Sequence, residues 1–250
     1  MNVIWLSANE FGYKLLQEAL KIKNNNIKKI ITLSGNSKTV MYDGLETKKW
    51  YKFGLEVFEI DDINKERKLF EKLSPDIVIV CGWRQKINKE ILKTSKNGFI
   101  GFHPTLLPIG RGPAPIINSI LKGFKKTGVT MFYLTEGLDD GDIIGQEKFT
   151  IQQDDHAEEV YKKTINSGKK LIKKYLPLLI NNKAPRNPQD HTKATFFQKP
   201  ILKDNQINID KEPIEQIYNK IRALSKPYKG AYIEKNGKKI VLWRGELLEK

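Results

Sequence analysis

One stretch of the chain combines residue types that move protons with residue types that form turns. His103 ends an apolar run, and a turn containing two prolines follows it up to Gly112. Asp139 comes about one helix and one strand later, in a run with Asp140, Gly141 and Asp142. An imidazole held by a carboxylate can both donate and accept a proton near neutral pH. This spacing predicts an acyl-transfer site at the edge of a sheet.

Both members of this pair also have a purely structural interpretation. His103, one of three histidines, would then cap the end of a strand, and Asp139 would be an ordinary turn residue, since Asp and Gly are common in turns. No Ser, Cys or Lys has the surroundings of an activated nucleophile. That favours direct transfer over a covalent intermediate.

The segment 97–146 resembles the folate-dependent formyltransferases, a family whose members act on methionyl-tRNA, glycinamide ribonucleotide and amino sugars. The resemblance is carried by three motifs in order: 103–108 with Arg111 and Gly112, then 127–130, then 138–143. It implies 10-formyltetrahydrofolate as co-substrate and a primary amine as acceptor. It also implies that His103 stabilises the formyl oxygen and that Asp139 orients His103 and helps to move protons.

One position departs from the family pattern. The family usually has Asn two residues before the His, and this chain has Gly101. Because glycine has no side-chain donor, the contact to the developing oxyanion falls to His103, a backbone amide, water or a side chain from elsewhere. One such donor can contribute about 3 kcal/mol to catalysis, so the site is either a variant or a disabled one.

The resemblance also implies a folate site, formed by the loop after the fourth strand and by the turn around the catalytic Asp. The matching residues are Val80, Cys81, Gly82, Trp83, Arg84, Gly137, Leu138 and Asp140. Trp83 would form a wall of the pocket or belong to the core, and Arg84 would meet the folate tail or the acceptor. On the acceptor side, Arg111 is expected to pair with a phosphate or carboxylate. Thr105 is expected to bind substrate or to bond locally within its turn.

Short apolar runs alternate with amphipathic helical stretches along most of the chain. Strands are predicted at 3–6, 29–33, 57–60, 77–80, 99–103 and 129–134, and helices at 11–22, 64–73, 113–121 and 156–179. This alternation predicts an α/β fold with a parallel central sheet and helices on both faces, and the resemblance implies that it is Rossmann-like. Residues 7–12 lack the GxGxxG pattern, so no nicotinamide cofactor is expected.

A polar stretch with two prolines at 181–190 predicts a linker. It divides the chain into a formyltransferase-like domain at 1–183 and a small α+β domain at 184–250. Within the second, short strands are predicted at 195–197 and 207–209, a helix at 213–224 and a hairpin at 232–243 that turns at Asn236 and Gly237. This part is expected to pack on the first domain, where it would close the acceptor pocket or a homodimer.

Composition limits the possible partners. The net charge is +15 and the isoelectric point about 9.6, which suits an anionic partner such as tRNA or a sugar nucleotide. The excess is mostly lysine scattered among Asn and Ile, which favours solvated faces over a nucleic-acid groove, although RNA binding without catalysis stays open. The single cysteine, Cys81, excludes an intrachain disulfide and a cysteine zinc cluster, and no metal site is predicted.

No signal-peptide pattern and no apolar run near ~18 residues is present, so a cytoplasmic protein without membrane contact is expected. The favoured acceptor is a nucleotide-linked 4-amino-4,6-dideoxy sugar for surface glycans, because sugar N-formyltransferases tolerate C-terminal parts of this size. The alternatives are a methionyl-tRNA formyltransferase-like enzyme and a non-catalytic homologue that binds folate or a nucleotide sugar. The joint presence of His103 and Asp139 argues against the non-catalytic alternative.

Overall fold

The computed structural model describes residues 1–248, which form a seven-stranded sheet covered by helices and, at the C-terminal end, a two-stranded hairpin. The sheet strands are β1 (Val3–Leu6), β2 (Ile27–Leu33), β3 (Glu56–Ile60), β4 (Ile77–Val80), β5 (Phe99–His103), β6 (Lys126–Tyr133) and β7 (Ile143–Thr150). The helices are α1 (Glu10–Ala19), α2 (Arg67–Leu73), α3 (Lys89–Leu92), α4 (Pro115–Leu121), α5 (Ala157–Ile180) and α6 (Ile214–Leu224). The hairpin is β8 (Ala231–Lys235) and β9 (Lys238–Leu242).

The sheet has the order β3-β2-β1-β4-β5-β6-β7. All pairs from β3 to β5 are parallel, as the sequence predicts. The predicted parallel central sheet is confirmed, and two antiparallel pairs extend it, β5 with β6 and β6 with β7. The chain leaves β5 at its carboxyl end, forms α4 and re-enters the sheet beside that same end, because His103 pairs with Thr130 of β6. This return places the site residues of β5 and β6 side by side.

Alternate residues of the strands enter two cores, one on each face of the sheet. Val3 and Trp5 belong to the core that includes residues of α1 and α5, whereas Ile4 and Leu6 belong to the core that includes Phe70 of α2. The period of two is what a strand buried on both faces produces. β4 has only apolar residues, all of them buried, and lies between β1 and β5.

The C-terminal part confirms two predictions and corrects two. Helix α6 and the hairpin turning at Asn236 and Gly237 are present. The predicted strands at 195–197 and 207–209 are wrong. The first contains only an isolated bridge between Phe196 and Arg111, and the second contains no strand residue, the nearest bridge being that of Gln206 with Tyr232. Arg111 lies between Gly110 and Gly112, whose φ values of 72° and 102° depart from extended backbone, so a ladder cannot extend there. Among residues 1–248, no helix combines the length and the apolar composition that crossing a membrane requires.

Helices α1 and α5 are joined by a buried carboxylate. Glu18 accepts from Lys173 and from Lys21, each at 3.1 Å. The hydrogen bond from Lys173, aided by Lys21, lowers the pKa of Glu18 against the opposing effect of burial. A lowered folded-state pKa means that the carboxylate stabilises the fold above its unfolded pKa, about 4.3, and ceases to do so as the pH falls through the folded value.

We therefore expect Glu18→Gln to lower the free energy of unfolding at neutral pH by up to about 1 kcal/mol, since both lysines are exposed. The deficit should disappear in strong acid. Thermal unfolding of the parent and the variant across this pH range measures it. A deficit that is constant at every pH would contradict the ion-pair explanation.

Candidate active site

His103 lies at the carboxyl end of β5, nearly buried beneath two loops. Its Nε2 is 2.7 Å from the carbonyl oxygen of Gly110, and its Nδ1 is 3.5 Å from Oδ2 of Asp139. A carbonyl only accepts, so Nε2 carries a proton and donates it. Both ring nitrogens thus face oxygen acceptors, an arrangement that a ring protonated on both nitrogens satisfies. The structure brings together the two side chains that the sequence singled out, and their catalytic roles stay a prediction.

Asp139 is held in an uncommon backbone conformation. Its φ is 49°, in the left-handed region, which Asp and Asn tolerate better than most residues. Its Oδ2 accepts from the backbone amide of Gly112 at 2.8 Å, and the same oxygen is the one that faces His103. The carboxylate therefore connects the loop after β5 to the imidazole.

The loop that carries Asp139 runs back along the sheet. β6 ends at Tyr133, which pairs with Ile100, whereas His103 pairs with Thr130 at the opposite end of the same ladder. Residues 135–142 must therefore retrace the length of β5 before Asp139 reaches His103. The Leu134 amide still donates to the Phe99 carbonyl, one position farther along the ladder, so the return begins after Leu134.

Leu134 occupies the space beside Gly101. A Cβ added to Gly101 would lie 2.5 Å from Cδ2 of Leu134 and 3.2 Å from Cε1 of Phe132. Real Cβ atoms do not approach this closely, so position 101 has no room for a side chain unless Leu134 moves. The wall of the site next to His103 is consequently apolar.

A row of side chains across three strands supports the loop that follows His103. Thr130 is paired with His103 on one side and with Gln146 on the other. The Thr130 hydroxyl donates to the carbonyl of Thr105 at 2.7 Å and accepts from the amide of Leu107 at 3.0 Å and from Gln146 at 2.9 Å. Sequence reasoning missed both supporting residues: Thr130 lay in a motif without an assigned role, and no signal identified Gln146.

Thr105 itself is 1% exposed, and its hydroxyl lies 3.5 Å from the Gly110 carbonyl. The contact lies within the turn of Thr105 itself, and local bonding in this turn is one of the two alternatives that the sequence gives for Thr105. Substrate contact by Thr105 stays a prediction.

Arg111 is buried at 4% exposure. Its Nε and Nη2 donate to Oε1 of Gln189 at 3.2 and 2.7 Å, and its Nη2 is 3.1 Å from Nδ1 of His191. The structure therefore holds the guanidinium against residues 189–191, and binding of an acceptor phosphate or carboxylate by Arg111 stays a prediction. Gln189 was missed by sequence reasoning, since it lies in the stretch interpreted as a linker.

Residues 189–197, which include the end of the stretch predicted to be a linker, contact the loop between His103 and α4. The Thr195 hydroxyl accepts from the amide of Gly110 at 2.8 Å, and the Thr195 carbonyl accepts from the amide of Arg111 at 2.9 Å. The ring of Phe197 lies where a Cβ of Gly110 would be, at 2.6 Å. The carbonyl that accepts from His103 is thus fixed from the C-terminal part of the chain.

The predicted folate loop follows β4. Val80 and Cys81 are buried, and burial raises the pKa of the Cys81 thiol well above its ordinary value. Gly82 has a φ of 63°, and a Cβ there would lie 2.1 Å from the side-chain nitrogen of Asn9. The indole Nε1 of Trp83 is buried and has no hydrogen-bond partner among the described residues. Arg84 is an exposed residue whose guanidinium donates to Asp43 at 3.0 Å.

Asp43 joins this loop to α1 and α5. Besides Arg84, its carboxylate accepts from Asn9 at 2.8 Å and from the Tyr161 hydroxyl at 2.7 Å. Burial, with the nearby Asp43 carboxylate, raises the pKa of Tyr161, so this hydroxyl stays protonated and donates. Arg84 therefore has an internal partner, and its contact with the folate tail or the acceptor stays a prediction.

The second predicted folate segment is a closed turn. The Asp140 carboxylate accepts from the hydroxyl of Thr135, and a Cβ on Gly137 would collide with Asp140. Leu138 is 54% exposed. An ion pair of 2.8 Å between Lys89 of α3 and Glu136 connects this turn to the region after β4. A cleft of about 620 Å³ that Gly137 and Asp140 help to line has neither His103 nor Asp139 in its wall.

The tight packing at Gly82 makes a testable prediction. Gly82→Ala adds a methyl group against Asn9 and imposes a strained φ, so we expect a loss of stability of about 1–3 kcal/mol in chemical denaturation. Gly54→Ala is the matched control, because Gly54 has a φ of 67° and nothing within 4 Å of its added Cβ. Equal losses in the two variants would show that the contact with Asn9 is not restrictive.

Comparison with known protein families finds two matches along the chain. Residues 1–176 match the family described as formyl transferase, and residues 202–250 match the formyl transferase C-terminal domain. Methionyl-tRNA formyltransferase of Halothermothrix orenii is 31% identical over 254 aligned residues, which cover 100% of this chain and 80% of that protein.

Solved structures share the fold. A 4-N formyltransferase from Francisella tularensis superposes with a TM-score of 0.78 at 22% identity, covering 100% of this chain and 98% of the other. An N-formyltransferase from Helicobacter canadensis, in complex with folinic acid and dTDP-3-aminofucose, gives a TM-score of 0.71 at 23% identity and covers 96% and 86% of the two chains.

Proposed function

Because the chain belongs to the formyl transferase family and is a formyltransferase, we propose that it transfers the formyl group of 10-formyltetrahydrofolate to the primary amine of a nucleotide-linked 4-amino-4,6-dideoxy sugar. The observation that carries this proposal is the pair formed by His103 and Asp139 at the carboxyl end of β5. One side chain donates protons and the other orients it, which is the minimum that direct transfer to an amine requires.

The step forms one bond and breaks another. The amine nitrogen of the acceptor bonds to the formyl carbon, the bond from that carbon to N10 of the folate breaks, and a proton from the amine ends on N10. His103 donates to the formyl oxygen from Nε2, so the loop that carries the Gly110 carbonyl, held by Thr195 and Phe197, must shift when the substrate oxygen takes the place of that carbonyl. The Asp139 carboxylate stays opposite Nδ1 of His103 while the substrate oxygen binds at Nε2. The 3.5 Å distance between Nδ1 and Oδ2 of Asp139 is of the kind that shortens when substrate binds.

The residues after β4 fit a folate. The Nε1 of Trp83 is a hydrogen-bond donor that has no acceptor among the described residues. Gly82 has no side chain, so its backbone lies open to close approach, as it is approached by Asn9. We assign the pterin to the backbone of 80–84 and to the turn at Gly137, Leu138 and Asp140. When bound there, the folate supplies the formyl group, and this chain supplies the donor and the orienting carboxylate.

Two observations support a nucleotide sugar as the acceptor. The Helicobacter protein was crystallised with an amino sugar linked to dTDP, and it shares the fold over most of both chains. A nucleotide sugar carries phosphates, which suit a chain of net charge +15.

The second candidate acceptor is methionyl-tRNA. Two observations favour it: the 31% identity to the Halothermothrix enzyme over the whole of this chain, and the basic charge, which suits a polyanion.

The test is formyl transfer from 10-formyltetrahydrofolate across a panel of thymidine- and uridine-linked amino sugars and methionyl-tRNA. Product mass and release of tetrahydrofolate are the readouts. We expect a gain of one formyl group on a sugar nucleotide. Transfer to tRNA alone would replace the first candidate with the second. Folate binding without transfer to any acceptor would support the non-catalytic alternative instead.

A further inference from the structure

Gln189 is buried between the two loops that hold the catalytic pair, with 5% of its surface exposed. Its amide oxygen accepts twice from Arg111, and its amide nitrogen donates to the carbonyls of Asp139 at 2.9 Å and Gly141 at 2.8 Å. A primary amide has two N–H donors and two acceptor lone pairs, so every bonding position of Gln189 is used.

The orientation of this amide is fixed by its neighbours. A guanidinium has only donors and backbone carbonyls only accept, so the oxygen must face Arg111 and the nitrogen must face Asp139 and Gly141. A reversed amide would place two donors against the guanidinium and would leave both carbonyls without a partner. Arg111 therefore determines which way Gln189 points.

Asp139 needs this support because of its backbone. A left-handed φ of 49° costs about 1 kcal/mol relative to ordinary conformations, and such a residue persists only when its surroundings hold it there. The two hydrogen bonds from Gln189 hold the carbonyls of Asp139 and Gly141, on either side of Asp140. Asp139 is the residue whose carboxylate faces His103. The direction of the Asp139 side chain depends on the orientation of the Asp139 backbone, which these hydrogen bonds hold.

We propose that Gln189 is a positioning residue of the formyl transfer, which aims the Asp139 carboxylate at His103 by holding the Asp139 backbone. Gln189 acts through Asp139 and does not touch substrate. The inference rests on the proposed function for its kinetic consequence, but its structural consequence is independent of any acceptor.

The test compares isosteric amide-to-carboxylate variants. Gln189→Glu keeps the acceptors that face Arg111 and removes both N–H donors to the carbonyls. Asn2→Asp is the matched control, because the Asn2 amide also donates to two carbonyls, those of Leu73 and Ser74, at the far end of β1 from His103. Both variants should lose stability.

The readout that does not depend on activity is the ¹⁵N chemical shifts of the His103 ring. The chain has three histidines, so the spectrum of His103→Ala identifies which resonances belong to His103. In Gln189→Glu we expect the Nδ1 resonance to move towards its position in Asp139→Asn, and kcat to fall about tenfold or more with KM little changed. Asn2→Asp should leave both unchanged.

Three results would overturn the proposal. These are unchanged His103 resonances in Gln189→Glu, unchanged resonances in Asp139→Asn, or an equal loss of kcat in Asn2→Asp. If the parent protein formylates no acceptor, the proposed function fails, and the ring resonances still decide the role of Gln189.

Discussion

Replacing His103 with alanine is expected to lower kcat for formyl transfer by about a thousandfold. General acid and base catalysis contributes ~10²–10⁴ in rate, and the apolar wall made by Leu134 beside Gly101 offers no second side-chain donor. The loss should appear in kcat more than in KM, because the ring acts on the reacting atoms. Single-turnover rates with saturating 10-formyltetrahydrofolate measure it.

A matched control separates this loss from a loss of folding. His156 is also buried, at the N-cap of α5, where its Nδ1 lies 3.0 Å from the Asp154 carbonyl and its backbone amide donates to Glu159. His156→Ala should lower the melting temperature and leave the transfer rate of the folded fraction near that of the parent. A His103→Ala enzyme with more than about a tenth of parental activity would exclude His103 from the chemistry.

The second large effect is expected from Asp139→Asn, which should lower kcat by about a hundredfold to a thousandfold. Asn tolerates the left-handed conformation of position 139 and can still accept from the Gly112 amide, so the loop should keep its path. It cannot offer a negative charge to Nδ1 of His103, and the imidazole loses the partner that fixes its protonation and orientation.

Asp155→Asn is the control for removing a buried carboxylate. Asp155 accepts from the amide of Gln152 and pairs with Lys163, near the start of α5. This variant should lose stability and keep its transfer rate. If Asp139→Asn also kept its rate while losing stability, Asp139 would be a turn residue, the structural interpretation that sequence leaves open.

The candidate pair of His103 and Asp139 could be proposed from sequence because both residues occur in short, dense motifs. The path that brings them together could not. A sequence of alternating strands and helices suggests that β6 runs parallel to β5, and in that case the loop after β6 would begin at the same edge as His103. In the actual antiparallel arrangement, residues 135–142 first have to retrace β5. That path depends on tertiary packing, which short-range patterns do not encode.

Strand β7 escaped prediction because it lies at the edge of the sheet. Only Ile144 and Gly145 of its eight residues are buried, and half of its residues are polar and one is a glycine, both of which favour a loop. Helix α3 has four residues, too few to produce a helical period.

Gln189 shows a different limit of sequence reasoning. A glutamine among prolines and polar residues is typical of a linker, and nothing local indicates burial. It is buried because the Arg111 guanidinium and two carbonyls, supplied by distant parts of the chain, satisfy all its hydrogen bonds. The boundary between the predicted domains at 183 and 184 therefore falls just before residues that complete the candidate site.

The contact between Leu134 and Gly101 makes these two positions mutationally dependent on each other. A side chain at 101 requires the tip of the Leu134 side chain to move, and a smaller residue at 134 alone leaves a void beside Gly101, so each single change is expected to be harmful. The paired change Gly101→Asn with Leu134→Ala removes the side chain in the way and adds a side-chain donor at this wall. Libraries that aim to alter the chemistry of the site should vary the two codons together, because screening one position at a time would reject each single change before the pair is tested.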